Sequence, residues 1–225
     1  AFHAAASNAP DANVQLANIA AGTQHPAIAR AGALELLANY PTEMSAFTAG
    51  KALNDTDPLV RRAAIMALQN LPAAQRLTQL APLLNDPIRT VHMEAANALV
   101  DAMLGATPEQ LQAFNKVAAE YVAAQKFIAD TSEGQSALGS FYARQGKYAE
   151  AEKQMQMALK LDPNFIPVYV NLADVYRMQG REAESDLTLR QGIKKAPQNA
   201  AVHHSLGLSL IRQKKMPEAI IELRK

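Results

Sequence analysis

The last third of the chain repeats itself at a fixed step of 34 in the numbering, and few folds accommodate that. Leu138-Gly139-x-x-Tyr142 returns as Leu172-Ala173-x-x-Tyr176 and again as Leu206-Gly207-x-x-Leu210, at that step each time. Asp162-Pro163 and Ala196-Pro197 keep the same interval, as do Ala151, Ser185 and Ala219. A unit of this length holds two helices and a turn, and it leaves an apolar face for the next unit to cover. Gly139, Ala173 and Gly207, with Ala151 and Ala219, predict places where the two helices of a hairpin cross closely, with Tyr and Leu filling the space beside them. Gly146 and Gly180 supply the turn between the helices, and Pro163 and Pro197 end each unit.

The first half carries a looser repeat. Pro26, Pro58 and Pro87 each precede a segment of like pattern, so that Ile28–Leu36, Val60–Leu68 and Val91–Leu99 align as the second helices of three hairpins, at steps of 32 and then 31. First helices are predicted over Val14–Ala21, Glu43–Leu53 and Ala73–Leu84. Asp55 and Asp86 each stand five residues ahead of their valine and read as acids at a helix start. Ala1 to Ala12 reads as a tail, with Ser7-Asn8-Ala9-Pro10 as a helix start. Between the two arrays, Thr107-Pro108-Glu109 opens a helix, with Thr107 as cap and Pro108 at the first position. That helix is expected to run to about Ala129, with Leu111, Phe114, Val117, Ala118, Tyr121 and Val122 on one face. It reads as a joint covering the last face of the first array and the first face of the second. Asp130-Thr131-Ser132-Glu133 caps the helix after it.

Composition narrows the chemistry. With 22 basic and 21 acidic residues, no global field selects nucleic acid or a membrane surface. The absence of cysteine removes disulfides, thiolate metal sites and Cys-x-x-Cys-His haem attachment from this chain. No apolar run approaches the roughly 20 residues of a membrane span. No Gly-x-Ser-x-Gly elbow or glycine-rich phosphate loop is present, and acid pairs such as Glu150 and Glu152 read as solvated helix faces. Five histidines invite a metal reading. His203 and His204, however, are neighbours about 100° apart around a helix, whereas a chelating pair needs a spacing of four. His92 occupies the place where the preceding unit has Arg61, His25 precedes a proline in a turn, and His3 is in the tail. The expectation is no catalytic residue, no metal and no cofactor.

The chain opens on Ala1-Phe2-His3 and stops at position 26 of its third unit, so it reads as a piece of a longer protein whose last unit is uncapped. Pairing of copies through that end is the expected consequence.

The units of the last third, with Leu-Gly/Ala, Tyr, Ala and Pro in their places, resemble tetratricopeptide repeats, and the first-half units resemble HEAT repeats in a shorter form. The resemblance implies an all-α fold: a right-handed α–α superhelix (solenoid) of HEAT-like hairpins over residues 1–106, a connecting helix over 107–131, and a tetratricopeptide array over 132–225, divided as 132–165, 166–199 and 200–225. Three further stretches resemble the repeat region of bacterial multihaem c-type cytochromes: Glu120-Tyr121-x-x-x-Gln125 with Ala129-Asp130; Asn171 through Arg177 and on to Gly180 and Glu184; and His203-His204-x-Leu206-Gly207 through Arg212-Gln213. That likeness implies a haem-bearing domain ahead of these repeats and an exported, periplasmic parent. The haem motifs themselves have no counterpart here, so electron transfer is not assigned to these residues.

In tetratricopeptide arrays the first helix of each unit lines an inner groove. The corresponding positions are Ser136, Ser140 and Arg144 in the first unit; Val170, Asn171, Asp174, Arg177 and Met178 in the second; and His204, Leu208 and Arg212 in the third. Arg144, Arg177 and Arg212 would form a basic stripe suited to an acidic, carboxylate-bearing peptide. The plainer reading leaves each arginine in solvent near the negative end of its helix. Chaperone-binding members of the family hold a C-terminal carboxylate with Lys and Asn where this chain has Ser136 and Ser140, and Asn171 alone matches, so that role is not implied. The function expected is a protein-interaction scaffold with a protein or peptide partner, without nucleic acid or membrane insertion. The alternatives are an accessory region docking an electron-transfer domain in cis, and a free-standing adaptor of an envelope assembly.

Overall fold

A computed structural model describes residues 11–127 and 130–225. The tail with its helix start, His3, and the last expected turn of the connecting helix at Ala129 lie outside the described residues. The chain falls into two compact units, the first ending at Tyr121 and the second starting at Val122. Among the described residues all regular structure is helical.

In the first unit, α1 (Ala12–Ala21), α3 (Glu43–Ala52) and α5 (Ala73–Leu80) are the first helices of three hairpins, and α2 (Ala27–Leu37), α4 (Pro58–Leu68) and α6 (Arg89–Leu99) are the second. Side-chain caps that the sequence reading did not single out fix two of the helix starts. Thr42 Oγ1 accepts the Ser45 N–H at 3.1 Å, and Asp57, ahead of Pro58, accepts that of Leu59 at 2.8 Å. α5 stops short of the expected Leu84. Pro82 has no N–H to return to Thr78, and the chain tightens into a 3-10 turn over Ala81–Asn85.

Buried positions recur at a uniform step of 31. Ala33, Ala64 and Ala95, then Leu34, Ile65 and Ala96, then Leu37, Leu68 and Leu99 are all within the core. This corrects the register expected for the first hairpin. Ile28 is 70% exposed while Val60 and Val91 are fully buried, so Ala29 is their counterpart and Leu37 replaces Leu36. A shift of one residue turns a helical side chain by about 100°, enough to move it from core to water.

The same step carries an ionic ladder. Arg30 grips both carboxylate oxygens of Asp55 through Nη1 and Nη2, and Arg61 grips Asp86 through Nε at 2.8 Å and Nη2 at 3.0 Å. Asp55 and Asp86 are therefore not helix caps. Each folds its own loop by accepting the N–H two residues on, at 2.9 Å, and hands its remaining valence to the arginine of the preceding hairpin. Arg61 Nη1 also donates to the Asp55 carbonyl at 2.8 Å. His92 repeats that contact one unit later, with Nδ1 donating to the Asp86 carbonyl at 2.9 Å and Nε2 lying 3.2 Å from Glu120. Burial pushes the Asp86 carboxyl upward, but the Arg61 hydrogen bonds, the Ile88 N–H and the charges of Arg61 and His92 outweigh it and hold the group below the ordinary carboxylate range.

Helix α7 (Pro108–Phe127) crosses the division between the units. It starts in a reciprocal cap, Thr107 Oγ1 accepting the Gln110 N–H at 3.3 Å and Gln110 Oε1 accepting the Thr107 N–H at 2.9 Å. Phe114, Val117 and Ala118 are buried, whereas Leu111 is partly exposed.

The second unit stacks three hairpins: α8 (Ser132–Arg144) with α9 (Tyr148–Leu161), α10 (Pro167–Met178) with α11 (Glu182–Lys195), and α12 (Ala200–Arg212) with α13 (Met216–Leu223). Every hairpin turns the same way. Lys147, Arg181 and Lys215 donate to the carbonyls of Tyr142, Tyr176 and Leu210, five residues back, at 2.9 to 3.0 Å. That closure needs a left-handed residue just before the donor. Gly146 and Gly180 fill the place at φ +74°, and Lys214 fills it in the third hairpin at φ 62°.

The crossings are as crowded as the small residues imply. A Cβ on Gly139 would lie 2.7 Å from Met155 Cγ, and one on Gly207 2.6 Å from Leu223 Cγ. Ala173 and Leu189 meet in one core cluster at the corresponding crossing of the middle hairpin. Between hairpins, Met155 and Ala158 of α9 bury against Val168, Leu172 and Val175 of α10.

Two outcomes follow. Asp86→Asn should cost about 3 kcal/mol at pH 7 by leaving Arg61 buried without its counter-charge. The wild-type carboxyl is lowered by folding, so its contribution is present above the unfolded pKa of about 3.9 and fades as pH falls through the folded value. The wild-type and variant denaturation curves should therefore converge as the pH is lowered below about 4. Separately, Lys214→Gly should raise the stability of the second unit by about 1 kcal/mol, because glycine enters the left-handed region without the strain a lysine Cβ meets there. Chemical denaturation read by circular dichroism checks both, and a destabilised Lys214→Gly chain would contradict the second.

Candidate interaction groove

Within the second unit, α8, α9 and α10 enclose an open hollow of about 300 Å³. Its lining brings together five of the eleven positions singled out in sequence: Ser140, Arg144, Asn171, Asp174 and Met178. Four residues that the sequence reading left out complete it, Ala143, Tyr148, Met155 and Val175. Met155 and Val175 are buried members of the inter-hairpin core, so the floor of the hollow is the outer surface of that core. Asn171 Nδ2 reaches Ser140 Oγ at 3.5 Å and ties the two hairpins at the rim. The signal that could have found the floor was the step of 34 itself. Met155 holds the place of Leu189, and the residue packed under a small-residue crossing is also the one seen from the groove side.

The other positions are dispersed. Ser136 is buried, and Val170 packs against the core shared by α10, α11 and α12. His204 and Leu208 are exposed on α12. The arginine stripe is interleaved with acids: Arg177 Nε lies 3.1 Å from Asp174 Oδ1, and Arg212 Nε lies 3.8 Å from Glu182 Oε1. These two pairs are solvent-exposed and weak, so the cations remain available to a partner that offers better geometry.

A firmer cluster lies elsewhere in the unit. Arg181, in the turn before α11, bonds Glu152 of α9 at 2.6 Å and Glu184 of α11, and its guanidinium lies 4.4 Å from the Tyr176 ring centroid. Its bonds to Glu152 and Glu184 join two successive hairpins, which marks it as a brace between them. His203 is a brace too. It is 1% exposed, and its Nε2 donates to the Pro197 carbonyl at 2.9 Å, while Nδ1 lies 2.6 Å from Glu222 Oε2. Tyr169 makes the equivalent bond one unit earlier, its hydroxyl donating to the Pro163 carbonyl at 2.8 Å. His203 thus anchors the proline that ends the preceding repeat and the last helix together. Among the described residues no group of three His, Asp or Glu side chains could hold a metal ion, and no helix is long and apolar enough to cross a membrane.

The sequence comparisons agree with this geometry. Residues 142–224 match the tetratricopeptide repeat family, and residues 13–100 and 48–121 match HEAT repeats. The stretch that matches HEAT repeats precedes the stretch that matches tetratricopeptide repeats. No curated protein matches it. Among solved structures, one of MamA is 18% identical over 72% of this chain and 84% of that one, with a TM-score of 0.42. A second MamA structure is 17% identical over 68% and 88%, with a TM-score of 0.44. Repeats of these kinds support a role in binding other proteins.

Proposed function

We propose that this chain is a non-catalytic protein-interaction scaffold, and that the hollow between α8, α9 and α10 seats an apolar side chain of a peptide or protein partner. The observation that carries the reading is the hollow's composition. Tyr148, Met155, Val175 and Met178 give it an apolar body, and Ser140, Asn171, Asp174 and Arg144 give it a polar rim that fixes orientation. Methionines suit such a site because an unbranched thioether adapts to more than one shape. An acidic partner is favoured by the charge of this half of the chain, fifteen Lys and Arg against eleven Asp and Glu over residues 122–225.

The wider setting is part of the proposal: a repeat region of a larger exported, periplasmic protein that carries haem. Its support is the sequence likeness at Asn171–Glu184 and His203–Gln213, and Cys-x-x-Cys-His motifs upstream in the full-length gene are the test. Self-association has an observation of its own. Leu223 holds the position that Met155 and Leu189 fill in the core, yet it is 42% exposed, and Met216, Ile220 and Ile221 beside it are about half exposed. Such an apolar face is of the kind that a second copy covers.

Met178→Glu places a charge at the mouth of the hollow without touching the core. It should weaken binding of a purified partner about tenfold by calorimetry, with an unchanged far-ultraviolet spectrum; equal affinity would remove the hollow from consideration. Ile220→Lys with Ile221→Lys should shift any dimer seen by light scattering to monomer, and a wild-type chain that is monomeric at about 100 μM would exclude self-association of appreciable strength.

A further inference from the structure

The first unit carries a surface of its own. Phe47 on α3 is 67% exposed, and a hollow lies on each side of it. The first, of about 480 Å³, is lined by Thr23, Arg30, Thr48 and Asp55 among others, and the second, of about 530 Å³, by Gly50, Leu53, Gln79 and Leu83. Phe47, Lys51 and Asn54 border both. An aromatic ridge between two hollows gives a partner two places to insert side chains against one ring, which is the geometry of an interface anchor.

Charge decides what fits. The ionisable residues of the two hollows are Arg30, Lys51 and Asp55. Asp55 is fully engaged by Nη1 and Nη2 of Arg30 and by the Asp57 N–H. Among the described residues Lys51 meets no carboxylate, its ammonium lying 5.5 Å from the Phe47 ring centroid. The surface therefore offers an uncompensated cation and lacks a free anion. A polyanion is a poor match, because residues 11–121 hold seven Lys and Arg against ten Asp and Glu and would repel it. We propose that the Phe47 ridge docks a peptide segment of a protein partner in which Glu or Asp neighbours a large apolar residue. The apolar side chain packs in a hollow against the ring, and the carboxylate meets Lys51. This site is separate from the hollow of the second unit and does not depend on it.

The test uses the full chain and fluorescein-labelled twelve-residue peptides identical except for Glu, Gln or Lys beside a Leu-Phe pair, read by anisotropy. The Glu peptide should bind about tenfold more tightly than the Lys peptide, and the gap should narrow as salt rises from about 50 to about 300 mM. Lys51→Glu should reverse the order, and Phe47→Ala should weaken all three peptides about tenfold. Both side chains are exposed, so both variants keep the wild-type melting profile. Repeating the series on the Met178→Glu chain separates any binding at the hollow of the second unit from binding at the Phe47 ridge. No binding of any peptide up to about 1 mM, equal binding of the Glu and Lys forms, or an unaffected Phe47→Ala chain would overturn the proposal. So would full displacement of the Glu peptide by oligo-dT or by phosphatidylserine vesicles.

Discussion

Each hairpin of this chain has more apolar surface than its two helices can hide from each other, and everything else in the molecule answers to that. In the second unit Met155 and Ala158 are buried only because Val168, Leu172 and Val175 of the following hairpin cover them. Each repeat therefore owes part of its stability to its neighbour, and interface terms carry what a globular core carries elsewhere. Small residues are what make the arrangement compact. Where Gly139 meets Met155 and Gly207 meets Leu223 there is no room for one more carbon without a shift, so the helix spacing is set by the absence of side chain.

The two units reinforce their stacking by different chemistry. In the first, a guanidinium from one hairpin clamps the loop of the next, as Arg30 does with Asp55 and Arg61 with Asp86, and His92 carries the same carbonyl contact onward. The acid in each pair has a second task, folding its own loop, so the ion pair couples loop shape to hairpin spacing. In the second unit, the loop contact comes from aromatic or imidazole groups, with Tyr169 and His203 each holding the carbonyl of the proline that ends the preceding repeat. Both solutions anchor a backbone carbonyl a short way upstream of the side chain that binds it. The loops are thereby held by the same elements that present the surface.

Much of this was legible in the sequence, and the failures have particular causes. The step of 34 was clear because three kinds of residue keep it at once: a small one at the crossing, an aromatic or leucine beside it and a proline at the end. The step of 31 was blurred because alanine dominates the first-half core and Ile28 looks like a core residue. Hydrophobicity drew the alignment one position off, while the charged series Arg30, Arg61 and His92 held the true register. Five of the positions singled out in sequence line the hollow because they lie on first helices at repeat spacing. The floor residues were missed because Met155 and Val175 belong to the inter-hairpin core, and only three-dimensional packing brings a core residue to the bottom of a hollow. The acids Asp174 and Glu182 that face the arginine stripe were invisible for a related reason: one lies a turn back on the same helix and the other on a different one.

The division of labour between core and surface decides what this chain has to bind with. Its buried polar side chains, Arg30, Arg76 and His203 among them, are committed to backbone carbonyls and carboxylates that hold loops and helix ends in place. What the stack leaves open to solvent is shaped surface: hollows whose walls are rigid because they are the backs of packed helices. Rigidity of that kind lowers the entropy lost when a partner docks, because the receiving side chains are already ordered. The same packing that conceals the apolar faces of the hairpins thus prepares the few apolar groups, Met178 and Phe47 in particular, that remain exposed.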